Sequence, residues 1–133
     1  MVDNDTVVSS EETSPREVVE RLLQAVNAHD PEAMAACFAP DFQSEQPLHP
    51  ERAFRGPEGV RRNWTAMFAA TPDLRVETLR WSETGNTVWA EMHFWGTQAD
   101  GSPFELRGTT IQAIEAGRIA WARLSMDPVQ PPS

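Results

Sequence analysis

The spacing of hydrophobic positions changes halfway along the chain: three to four residues apart from Val18 to Phe68, then close to strict alternation from Leu74 to Met126. The first spacing predicts helices with one buried stripe, and the second predicts strands with two distinct faces. Ser14-Pro15-Arg16-Glu17 supplies an N-cap serine, proline in the first turn and a glutamate three residues after the cap, which together open a helix. Val18, Val19, Leu22, Leu23 and Val26 form its apolar stripe. Asp30-Pro31-Glu32 repeats the start signal for a short second helix, with Ala33, Met34, Cys37 and Phe38 on its buried side and Pro40 as its stop. Phe42 to Gln46 reads as a short strand before Pro47, and His49 to Arg55 as a loop. Gly56-Pro57-Glu58 opens a third helix, in which Val60, Trp64, Met67 and Phe68 share one side, Arg61, Arg62 and Asn63 occupy the other, and Thr71-Pro72 ends the pattern.

Four longer strands follow. Asp73 to Ser82 changes phase between Val76 and Leu79, which predicts a bulge near Thr78. Asn86 to Thr97 alternates cleanly: Val88, Ala90, Met92 and Phe94 on one face, Trp89, Glu91, His93 and Trp95 on the other. On this strand alone the even face is core and the odd face meets solvent, although two solvent-facing tryptophans would be unusual. Asp100-Gly101 marks a hairpin into Phe104 to Ile114, and Glu115-Ala116-Gly117 turns the chain into Arg118 to Met126. Helices first and an antiparallel meander afterwards define an α+β fold with the helices on one face of the sheet. Residues 1–13 are polar and acidic without apolar periodicity and read as a disordered tail; 14–127 form the domain, and 128–133 a proline-rich tail.

Composition narrows the chemistry. At 133 residues the chain is one domain with room for a modest cavity. A net charge of -9 argues against nucleic acid and anionic membrane surfaces, which demand clustered cations. All 11 cations are arginine and there is no tyrosine, so Schiff-base lysine chemistry and tyrosyl proton donation are excluded. The single cysteine, Cys37, rules out an intrachain disulfide or a multi-cysteine metal site and fits a reducing, cytoplasmic setting. No cofactor or metal is expected. No apolar run approaches membrane-spanning length.

The run VVERLLQAVNAHDPEAMAACFAPDF, then Pro47, GPEGV and the final GRIAWARLSMD, resembles the nuclear transport factor 2-like superfamily, and within it the SnoaL-like and ketosteroid isomerase-like branches. The resemblance spans Ser14 to Asp127 and implies a curled, cone-shaped antiparallel sheet around three N-terminal helices, with a pocket on its concave side. It implies that Glu91, His93, Trp95 and Thr97 face that pocket, and that Val88, Ala90, Met92, Phe94 and Trp121 form the convex face. A homodimer through Met92, Phe94 and Trp121 is then expected, because they would otherwise expose an apolar patch.

Ketosteroid isomerases place a base, a tyrosine and a protonated aspartate at positions matching Gln46, Leu22 and Thr110. None retains that chemistry here. The expected site is therefore His93 and Glu91 as an acid–base pair, with Phe42, Gln46, Trp64, Phe68, Trp95, Thr110 and Gln112 binding a small, largely apolar, oxygenated molecule of polyketide or steroid type. A non-catalytic binding module and a dimerisation domain are the competing readings.

Overall fold

The computed structural model describes residues 14–129; the expected tail over 1–13 and the end of the chain from residue 130 lie outside the described residues. Helix α1 (Pro15–Asn27) is followed by α2 (Pro31–Ala35), strand β1 (Phe38–Glu45), a single 3-10 turn (Pro50–Arg52), α3 (Gly56–Ala70) and strands β2 (Arg75–Thr84), β3 (Thr87–Thr97), β4 (Pro103–Glu115) and β5 (Arg118–Pro128). The α1 cap forms as read from the sequence. The Ser14 hydroxyl accepts from the Glu17 amide at 3.1 Å, and the Glu17 carboxylate accepts from the Ser14 amide at 3.0 Å. Val18, Val19, Leu22, Ala25 and Val26 of α1 are buried. At the far end of α1 the Asn27 side chain donates to the Val76 carbonyl and accepts from the Val76 amide, which ties the helix to the free edge of β2.

The sheet has the order β1-β5-β4-β3-β2, antiparallel from β2 to β5, and it curls around the helices with the core between them. The expected bulge is present, for the β2–β3 register shifts between Thr78 and Arg80. A second shift lies between Ala113 and Ile114 of β4 against β5. Extra residues of this kind bend the strand that carries them, which is how a short sheet closes into a cone. Gly108 allows a further close approach. A Cβ there would stand 2.0 Å from the Ser125 carbonyl oxygen and 2.8 Å from the Met126 Cα.

Four expectations are corrected. The second helix stops at Ala35, and Phe38 to Glu45 is strand, with Pro40 inside it. Proline is tolerated there because β1 is an edge strand whose register with β5 skips from Phe38 to Gln43, so no ladder hydrogen bond is lost. β1 also runs parallel to β5, which makes the sheet mixed. The last strand extends through Pro128, paired with Leu106.

The fourth correction concerns β3. Val88, Ala90, Met92 and Phe94 are buried at 1%, 2%, 2% and 6% exposure on the helix-covered face, while Trp89 and Trp95 are 47% and 38% exposed on the outer face. Met92 and Phe94 therefore do not belong to an outer dimerisation face, and of the residues expected there only Trp121 remains. The four apolar side chains win the core because each brings about 1–3 kcal/mol of burial and no polar atom. Glu91 and His93 would have brought charge or hydrogen-bonding groups into it.

Candidate functional site

A cavity of about 720 Å³ opens between the concave face of the sheet and helices α1 and α3. That is within the roughly 300–1,000 Å³ range of small-molecule sites. Its walls are mostly apolar. Phe42 of β1, 1% exposed, packs edge-on to Phe38 with ring centroids 4.5 Å apart, and Trp64 of α3 lies 5.7 Å from the ring of Phe94. Met92, Leu106, Leu124 and Met126 complete the sheet wall. Even-numbered residues of β3, β4 and β5 supply it, because the three strands pair in register across Met92, Gly108 and Met126.

Two polar side chains stand in that wall. Thr110 and Gln112, both on β4, are 3% and 6% exposed. The Gln112 amide nitrogen lies 3.4 Å from the Thr110 hydroxyl, at the long limit of a hydrogen bond, and the Gln112 Oε1 has no partner within the chain. An unpaired buried acceptor costs about 1–3 kcal/mol. Packing does not require it, since an apolar side chain would fill the same place. Gln46 lies nearer the solvent, its amide donating to the Arg52 carbonyl at 2.8 Å.

Of the residues expected to bind ligand, Phe42, Gln46, Trp64, Thr110 and Gln112 all border the cavity. So does Leu22, which brings together the three positions matched to the isomerase machinery: Leu22, Gln46 and Thr110. Phe68 does not border it. Its ring stacks on His29 at 4.5 Å, and His29 is held in the left-handed region (φ 55) beyond the end of α1, with Nε2 2.7 Å from the Leu74 carbonyl. Trp95, His93 and Glu91 are on the outer face. There His93 sits between two carboxylates, Nδ1 3.0 Å from Glu77 and Nε2 2.7 Å from Glu105, with Trp95 stacked on its ring at 5.0 Å. Glu91 is exposed and 3.9 Å from Arg80. The expected acid–base pair is thus on the wrong side of the sheet for the cavity.

Besides Met92 and Phe94, expected on the convex face, Arg62 and Asn63 are lining residues that the sequence pattern assigned elsewhere. Gly59, Arg62, Asn63, Ala66 and Met67 recur at i, i+3, i+4, i+7 and i+8 along α3 and all face the cavity. The spacing was readable, but the apolar stripe through Val60 and Trp64 masked it.

Among the described residues no group of three His, Cys, Asp or Glu side chains is arranged to hold a metal ion, and no helix is long and apolar enough to cross a membrane. Burial pushes the Cys37 thiol up, with the positive charge of Arg21 opposing it. Cys37 packs in the core as a neutral thiol.

A curled sheet wrapped around N-terminal helices, with an apolar cavity at its concave side and a few convergent polar groups, defines the ligand-pocket class of α+β folds. The chain belongs to the SnoaL-like domain family, whose profile matches residues 19–122. Among solved structures it is similar to a loop-truncated variant of IdmH (27% identity, 86% of this chain and 93% of the other, TM-score 0.73). Wild-type IdmH, a candidate polyketide cyclase from Streptomyces antibioticus, aligns at 23% identity over 85% and 91% of the two chains with TM-score 0.73. A candidate SnoaL-like polyketide cyclase from Jannaschia sp. CCS1 aligns at 20% over 88% of each chain with TM-score 0.74. Below 25% identity such likeness speaks for the fold. No curated protein matches the chain.

Proposed function

We propose that this chain binds a small, largely apolar molecule of polyketide or steroid type, bearing a hydroxyl group that the Gln112–Thr110 pair recognises inside the cavity. The observation that carries this reading is the unpartnered Oε1 of Gln112, buried in a wall that is otherwise apolar. A ligand hydroxyl donates to that oxygen and accepts from the Thr110 hydroxyl, so one group satisfies both. Membership of the SnoaL-like family supports a small-molecule or cyclase-type role. Neither Gln112 nor Thr110 titrates near neutral pH, so any reaction here would proceed by orienting and polarising the ligand. Cofactor-free proton transfer through His93 and Glu91 has no support from their position.

The test is a calorimetric titration with 2-naphthol and with 2-methoxynaphthalene, which differ by the hydroxyl donor. Tighter binding of 2-naphthol, with the preference lost in Gln112→Leu, supports the reading. Equal binding of the two to the parent protein contradicts it.

A self-association role for the outer face is favoured by Trp89 and Trp95, exposed on the same strand face. Glu77, Glu91 and Glu105 share that face with Arg107 and Arg123, so two copies turned about a twofold axis can set acid against base. Sedimentation at micromolar concentration tests it: a dimer that Trp89→Glu dissociates supports the reading, and a parent protein that stays monomeric rejects it.

A further inference from the structure

Three charged side chains border the cavity: Glu51, Arg52 and Arg62. Two of them have a polar partner already. The Glu51 carboxylate lies 3.8 Å from His49, and the Arg52 guanidinium lies 3.9 Å from Asp127. Arg62 has no carboxylate within ion-pair distance among the described residues, whereas its neighbour Arg61 is held by Glu32 and Glu58. Arg62 is exposed, so it stands at the rim, yet it belongs to the stripe of α3 that faces the cavity. One turn further along that stripe Ala66 carries only a methyl group, while the space over Gly59 is taken by the Phe54 side chain. Asn63 adds an amide at the same rim. The cavity therefore has an unpaired cation at its mouth and an unpaired neutral acceptor in its wall, two features separated by apolar surface.

We propose that the ligand is an amphipathic hydroxy acid: an aromatic or polycyclic carboxylic acid whose carboxylate pairs with Arg62 at the mouth and whose hydroxyl reaches Gln112 inside. This rests on the pocket reading above and names the chemical class it selects. Arginine suits the role because its planar fork can hold a carboxylate through two parallel hydrogen bonds. In a chain of net charge -9 the long-range field repels an anion, so selection for an acid must come from this local contact. A neutral ligand would leave Arg62 solvated and gain nothing from it.

The experiment compares 6-hydroxy-2-naphthoic acid with its methyl ester, two probes that share the ring and the hydroxyl and differ in charge. Their dissociation constants are measured at neutral pH for the parent protein, for Arg62→Gln, and for Arg75→Gln as a charge-matched control away from the cavity. The parent and Arg75→Gln bind the acid about twofold to fivefold more tightly than the ester, the range of a solvent-exposed charge-assisted pair. In Arg62→Gln the ratio falls to near one, and in the parent it shrinks as salt is raised. Equal affinities in the parent, or a preference that survives Arg62→Gln, overturn the assignment of an acid while the hydroxyl reading stands on the ester's dependence on Gln112. If neither probe binds, the pocket reading fails and this proposal fails with it.

Discussion

His93 Nε2 lies 2.7 Å from a carboxylate oxygen of Glu105, one strand away on the outer face of the sheet. With Glu77 on its other nitrogen, the imidazole bridges β2 and β4 across β3. His93→Ala is predicted to leave the two carboxylates without their shared partner and to lower stability by about 1 kcal/mol, read from urea unfolding. Affinity for 2-naphthol stays at the parent value, because the cavity is on the opposite face. A tenfold loss of affinity in a variant with a native spectrum would contradict that placement.

Gly108 is predicted to be the least replaceable residue of β4. A methyl group there meets the backbone of Ser125 and Met126, which cannot rotate away as a side chain could. Gly108→Ala is expected to cost about 3 kcal/mol or more and to lower the melting temperature by more than 10 °C, on the scale of other overpacked sites in small domains. A variant that melts with the parent would show that β4 and β5 are not in close approach.

How much of this was legible in the sequence differs from element to element, for physical reasons. The α1 capping box, the bulge near Thr78 and the turn at Gly117 are local, and local residue chemistry specifies them. The parallel pairing of β1 with β5 joins Gln43 to Trp121, residues far apart in the chain, and leaves no local signal. On β3 the alternation showed two faces correctly, and the even face alone read as core. The opposite phase came from the family resemblance, and the structure overturns it: Trp89 and Trp95 lie on the outer face, where indoles tolerate partial exposure. Thr110 was legible only through the resemblance, as the position matching the isomerases' protonated aspartate, and Gln112 lies two residues on along the same strand, on the same face. Arg62 was not legible, because α3 serves two surfaces at once: Val60 in the core, and Gly59, Arg62 and Ala66 at the cavity.

Glu45 is expected to contribute to the acid limb of stability. The Trp121 indole donates to its carboxylate at 2.8 Å, and Arg123 donates to it as well, which together hold the Glu45 carboxyl below the ordinary glutamate range. Because the folded-state value is the lower one, the stabilisation is complete above the unfolded-state value and is lost as pH falls through the folded-state value. Glu45→Gln should therefore narrow the stability gap between neutral and acid pH, measured by urea unfolding at several pH values. An unchanged gap would mean that the β1–β5 contact does not depend on this charge.

Gln112 links the stability of the fold to the proposed function. Replacing it with leucine removes an unpaired buried acceptor, so Gln112→Leu is expected to raise stability by about 1 kcal/mol while weakening the binding of hydroxylated ligands. A structural glutamine would behave oppositely, losing stability with no effect on binding.

The most direct measurement is a crystal structure of the parent protein soaked with 2-naphthol. The pocket reading predicts the ring between Phe42 and Trp64, with its hydroxyl about 2.6–3.0 Å from Gln112 Oε1 and within reach of the Thr110 hydroxyl. A cavity filled by the protein's own side chains, or a naphthol whose hydroxyl points away from Gln112, would contradict it.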